Sequence, residues 1–197
     1  RISGSVRSSS AAGNPDSGVL NIDGTLGWQG DDTPLVLNLR GTDVLVSDTP
    51  DLRAIATPDL QISYRAGEPL QLTGEVVVPE ARINLEGLDG GVSASPDVVV
   101  LDPVDPEAGP GTPLSMDLAI IVGDDVRMNG FGLTGSLDGR LRIVARPGRE
   151  MIATGNLDVG GEYTAYGQDL TITRGRLSWS ADPIGDPIIN LRAEREI

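Results

Sequence analysis

The chemistry open to this chain is narrow, because its 197 residues include no His and no Cys, and all 15 of its basic residues are Arg. No imidazole base, thiol nucleophile, Ser-His-Asp triad or zinc site of the nitrogen and sulfur type can be assembled, and without Lys there is no Schiff base. Paired carboxylates, Tyr and oxygen-ligated hard cations remain. The acidic turns Asp31-Asp32, Asp124-Asp125 and Asp138-Gly139 are the places where a calcium ion would be sought. They lack the EF-hand and the glycine-aspartate nonapeptide patterns and read as solvated turns. The sequence therefore predicts no catalytic residue, no cofactor and no catalytic metal.

With 29 acidic residues the formal charge is -14, which disfavours nucleic acid and anionic lipid surfaces as partners. The longest apolar run, Leu118 to Val122, falls far short of the ~20 residues a membrane-spanning helix requires. Zero Cys is compatible with an oxidising periplasm. The start at Arg1-Ile2-Ser3 leads us to expect a fragment of a longer protein, folded as one extended domain over residues 1–197.

The elements that could carry a function are strands, because the dominant hydrophobic period is two. Leu20, Ile22, Leu26 and Trp28 share one parity; Leu35, Leu37 and Leu39 follow, then Val44 and Val46, then Leu60, Ile62 and Tyr64. Leu70, Leu72, Val76 and Val78 form the next run, and after Pro79 the parity switches to Ala81, Ile83 and Leu85, which predicts a bulge. Val98 to Leu101 is apolar on both parities, and an acidic, Pro-rich loop follows over 102–113. Leu114, Met116, Leu118, Ile120 and Val122 make a long strand, and Phe131, Leu133, Leu137, Leu141 and Ile143 a longer one. Turn signals fall at Gly123-Asp124-Asp125, Arg146-Pro147-Gly148, Gly160-Gly161 and Asp182-Pro183, and two further strands are expected to meet at Arg174-Gly175. The sole helical suggestion is a short turn near Pro50 to Ile55.

Roughly a dozen strands joined by short turns predict an all-β, mostly antiparallel chain with little or no helix. A sandwich or jelly roll is the default for such spacing, and a long sheet curled into an open trough is the other solution. A membrane barrel is disfavoured because six aromatics cannot build its girdles. Four glycines occupy apolar-parity positions inside strands: Gly24, Gly74, Gly135 and Gly155. Each removes a side chain from the buried face, as at a crease or a close approach.

The string Ala165-Tyr166-Gly167-Gln168-Asp169-Leu170, the Arg174-Gly175 step and Asp186-Pro187 before Ile188-Ile189-Asn190-Leu191-Arg192 together resemble the TamB C-terminal domain family, the AsmA-like periplasmic proteins. Gly123 to Leu133, Ser95 to Val100 and Val78 to Ile83 extend the resemblance, which covers Leu70 to Ile197. It implies a sheet curled into an open hydrophobic trough, a β-taco, in a protein anchored in the inner membrane that meets the outer-membrane barrel TamA. The TamA-facing strands would lie beyond Ile197. It also implies phospholipid transport between the membranes and support of outer-membrane protein assembly. The alternative is a scaffold that holds outer-membrane strands by edge pairing. The expected lining comprises Leu70, Leu72, Val76, Val78, Leu114, Met116, Leu118, Ile120, Val122, Phe131, Leu133, Leu137, Leu141, Ile143, Leu170 and Ile172, with acyl chains or another amphipathic guest against them. Tyr163, Tyr166 and Gln168 read as strand-pairing and turn residues.

Overall fold

Alternation of apolar and polar residues over stretches far longer than an ordinary strand dictates long, half-buried strands. The computed structural model of the chain, which describes residues 2–7, 18–27, 34–89, 113–165 and 167–195, is built from them. They are β1 (Ile2–Arg7), β2 (Val19–Leu26), β3 (Leu35–Thr42), β4 (Val44–Asp48), β5 (Leu52–Tyr64), β6 (Leu70–Asn84), β7 (Leu114–Gly130), β8 (Leu133–Ala145), β9 (Ile152–Ala165), β10 (Gln168–Pro183) and β11 (Ile188–Glu194). One short helix, α1 (Leu85–Asp89), follows β6.

All eleven strands belong to one sheet in the order β1-β2-β3-β5-β6-β7-β8-β9-β10-β11, with β4 beside the first half of β5. The ends of that order do not pair with each other, so the sheet stays open and the sandwich alternative is set aside. Among the described strands every pairing is antiparallel except β6 with β7, which run parallel from Leu70↔Leu114 to Asn84↔Asn129. A parallel neighbour needs a crossover back to the starting end, and residues 85–113 make it. The expected strand at Val98 to Leu101 and most of the loop 102–113 lie outside the described residues.

Several expected turns are strand interior. Gly123-Asp124-Asp125 sits inside β7, where the register slips between Val122 and Arg127 and the extra residues form a bulge. Gly160 and Gly161 pair with Ser136 and Gly135 within β9. Arg174-Gly175 is an irregularity inside β10, and the strands of that segment meet instead between Ala165 and Gln168. Pro50 to Ile55 is not helical: a turn in which the Leu52 N–H bonds the Thr49 hydroxyl leads straight into β5. The bulge expected at Pro79 is present, as the β6–β7 register shifts between Val78 and Glu80.

The curl shows in the burial. Ala153 is fully buried and Val126 is 2% exposed, yet among the described residues extensive packing joins only neighbouring strands, and α1 with β7. A flat single layer would leave both side chains in water. Instead Val126 is enclosed with Ala54 and Ala81 by Leu52, Val78, Ile83, Val122 and Leu137. Ala153 lies with Leu141, Leu157 and Trp179.

Candidate functional site: one apolar face

Residues directly opposite each other on neighbouring strands share a face, so the register assembles the lining rung by rung. One rung reads Leu39, Leu60, Gly74, Leu118, Ile143, Ala153. The next reads Leu37, Ile62, Leu72, Met116, Ala145, and beyond it Tyr64 and Leu35 stand at the level of Leu70 and Leu114. In the other direction come Pro58, Val76, Ile120, Leu141, Gly155, Trp179, and then Val78, Val122, Gly139, Leu157, Leu177, Ile189. Leu137 pairs with Val159, and Leu133 with Tyr163, which pairs in turn with Leu170. Ile172 pairs with Gly161.

Of the sixteen residues the sequence selected, fifteen therefore fall on one continuous apolar face. Phe131 does not, because it occupies the β7–β8 turn at φ 52 and is 56% exposed. Selection by sequence missed Leu37, Leu39, Leu157, Leu177 and Trp179, which carry the same alternation. Trp179 seals its indole N–H on the Ile184 carbonyl at 3.0 Å, leaving the ring as an apolar surface.

The other face of the same strands is mixed: Val36, Val77, Ile121, Val144 and Ile152 stand on it among polar side chains that bond across strands. Asp23, Asn38 and Gln61 form a cross-strand chain, the Asn38 amide donating to Asp23 at 3.3 Å and Gln61 donating to Asn38 at 3.1 Å. Arg142 grips Asp117 through Nε and a terminal nitrogen at 2.7 and 2.6 Å, and Arg176 grips Asp158 the same way at 2.7 and 3.2 Å. That hydrogen bond holds the Asp117 carboxyl below the usual carboxylate range and raises the Arg142 guanidinium. Asp125 is lowered likewise, by its bond to Arg82, and it also pairs with Arg127. A concavity of about 660 Å³ lies near the α1 end, lined by Arg82, Asn84, Arg127, Ser136 and Glu162 together with Ile83, Met128, Gly135 and Gly161. The register puts the first five on the polar face and the last four on the apolar one, so both faces border it.

The glycines of the apolar face stand where a Cβ has no room. At Gly74 and Gly155, φ is 135 and 134, and a Cβ would overlap the carbonyl oxygens of Asp59 and Arg140 on the next strand. At Gly24 and Gly135 the obstruction is the carbonyl of Val36 and of Gly160. The four sit on different rungs, so they are separate close approaches stepped across the sheet and not one straight fold line.

An open β-sheet with a continuous apolar face and a largely polar, cross-bonded back defines a trough-shaped β domain, and among the described residues its lining holds no catalytic constellation. The model of the TamB C-terminal domain matches residues 8–197, and the chain belongs to that family. It is 29% identical over 198 residues to the translocation and assembly module subunit TamB of Haemophilus influenzae, an alignment covering 89% of this chain. The chain spans 14% of that relative's length. No helix among the described residues is long and apolar enough to cross a membrane.

Proposed function

We propose that the apolar face is a lipid-conducting groove, and that the chain serves a periplasmic, inner-membrane-anchored TamB-like protein that moves phospholipid toward the outer membrane and supports outer-membrane protein assembly. The domain acts without catalysis, and the protein's partner would be the outer-membrane barrel TamA. The observation that carries the reading is the apolar succession from rung to rung across β3 to β11, in contrast to a reverse face where polar pairs such as Asp117–Arg142 and Asp158–Arg176 stand among a few aliphatic side chains. Each methylene buried there gains about 0.8 kcal/mol, and an aliphatic wall offers no polar group to fix the guest in one place. A guest held by area alone slides cheaply, which is what conduction needs.

A photo-crosslinker at Val76, Leu118 or Leu137 is expected to capture phospholipid, and one at Glu75 or Asp117 is not. Equal capture at both parities would sink the groove reading. The second reading, a scaffold that pairs with outer-membrane strands, rests on β11, an edge strand whose Ile188, Ile189 and Leu191 are exposed, Ile189 to 66%. The same experiment discriminates, because that reading expects a crosslinker at Ile189 to capture peptide while the trough positions capture nothing.

A further inference from the structure

We propose that the turn between β8 and β9 is a phosphate-binding lip of the trough, holding the headgroup phosphate of a lipid whose acyl chains lie in the groove. This rests on the groove reading above and adds where the polar end sits.

The turn is Arg146-Pro147-Gly148-Arg149. The Arg149 N–H donates to the Arg146 carbonyl at 3.1 Å, and Gly148 takes φ 67. Pro at the second position and a left-handed Gly at the third make a type II turn, with little freedom left in its backbone. The β5–β6 turn, at the same end of the sheet, has the same build: the Glu68 N–H donates to the Arg65 carbonyl at 3.0 Å, and Gly67 takes φ 80. There the first and fourth residues are of opposite sign and pair at 3.9 Å. In the β8–β9 turn the same two positions are both Arg, so one rigid turn presents two guanidiniums to solvent.

Among the described residues neither Arg146 nor Arg149 has an ion pair or a side-chain hydrogen bond. Arg40, Arg53, Arg82, Arg140, Arg142 and Arg176 all have one. Asp117, which feels the Arg146 charge, already spends both oxygens on Arg142. Among the described residues Arg174 and Arg195 lack such a partner too, but on a chain of charge -14 Arg146 and Arg149 alone stand in the same turn. Around them apolar and acidic side chains mix: Leu114, Met151 and Ile184 are exposed at this end, as are Glu150 and Asp186, and the Ile184 N–H bonds the Met151 carbonyl at 3.1 Å. The lining reaches the turn through Met116 and Ala145. Guanidinium forks match phosphate oxygens two at a time, so a phosphate diester with apolar tails satisfies both halves of this lip.

The test compares the chain with an Arg146→Gln/Arg149→Gln double variant, titrated with dihexanoylphosphatidylglycerol, with dihexanoylglycerol and with inorganic phosphate alone. The double variant should bind the phospholipid about fivefold more weakly and the phosphate-free lipid unchanged, with the difference vanishing at high salt. Arg65→Gln, in the sister turn, should leave both affinities as they are. Equal phospholipid affinity in parent and double variant overturns the lip alone, as does an equal loss toward both lipids. Inorganic phosphate binding the turn as tightly as the phospholipid makes it a free-phosphate site and overturns the headgroup role. If the parent binds neither lipid, the groove reading itself fails.

Discussion

Asp117 and Leu118 are neighbours on β7 and live under opposite rules. Leu118 stands in a rung with Leu60, Gly74 and Ile143, where any apolar side chain of suitable volume would serve. Asp117 is held through both oxygens by one arginine on the next strand. Other strands repeat this division at Asp158–Arg176 and Asp23–Asn38–Gln61, so the two faces are specified differently: the reverse largely by bonded polar pairs among a few aliphatic side chains, the lining by apolar character alone. A surface specified only by character suits a guest that must not be fixed in place. It also predicts how each face tolerates change.

The largest difference should come from Ala153 and Thr154. Ala153 is fully buried on the apolar face, whereas Thr154 lies on the polar face opposite Arg142 and is exposed. Ala153→Asp puts an unpaired charge among Leu141, Leu157 and Trp179 and should cost about 3–5 kcal/mol in urea unfolding. Thr154→Asp should stay within about 0.5 kcal/mol of the parent. Similar losses for the two would mean that the lining is not closed around Ala153, and the contrast between the faces would dissolve.

Paired glycines give the next effect. Gly135→Leu drives a Cβ into the Gly160 carbonyl on the facing strand and should cost about 2 kcal/mol or more, read from the same unfolding curves. Gly160→Ala, one residue from Gly135's partner and on the polar parity, meets only the Ser136 hydroxyl at 3.3 Å and should change stability by no more than about 0.5 kcal/mol. Tolerance of Leu at 135 would show the glycines to be ordinary bulges.

The division of faces was legible because it is a local property: period two assigns a face to each residue without knowledge of its partner. Where partners decide, the sequence was silent. Gly160-Gly161 has the composition of a turn, yet Gly161 is strand because Gly135 stands opposite and lets the backbones approach. Gly123-Asp124-Asp125 reads as a turn and is a bulge because β8 continues past it on both sides. The parallel pairing of β6 with β7 depends on a crossover through residues 85–113, in which no hydrophobic period reports direction. Phe131 shares the apolar character of the lining and not its place, since the left-handed backbone at a turn is invisible to alternation. Leu157 and Leu177 alternate as plainly as Leu141, but each stands beside a glycine on its own parity, Gly155 and Gly175, which shortens the apolar run around it.

The smallest effect lies wholly on the polar face. Asp117 is partly exposed, and its bond to Arg142 keeps its carboxyl below the ordinary value of 3.8. A depressed carboxyl contributes stability that is present above the unfolded-state value and is lost as pH falls through the lower folded-state value, so the pair should matter at neutral pH and fade only below 3.8. Asp117→Asn should lower the urea midpoint slightly at low salt and neutral pH, with no difference at about 1 M salt, where the screening length is about 3 Å. The variant and parent should also converge at acid pH. A loss that persisted in high salt would mean that the Asp117–Arg142 pair acts by packing the polar face, which would bring the two faces closer in kind than their chemistry suggests.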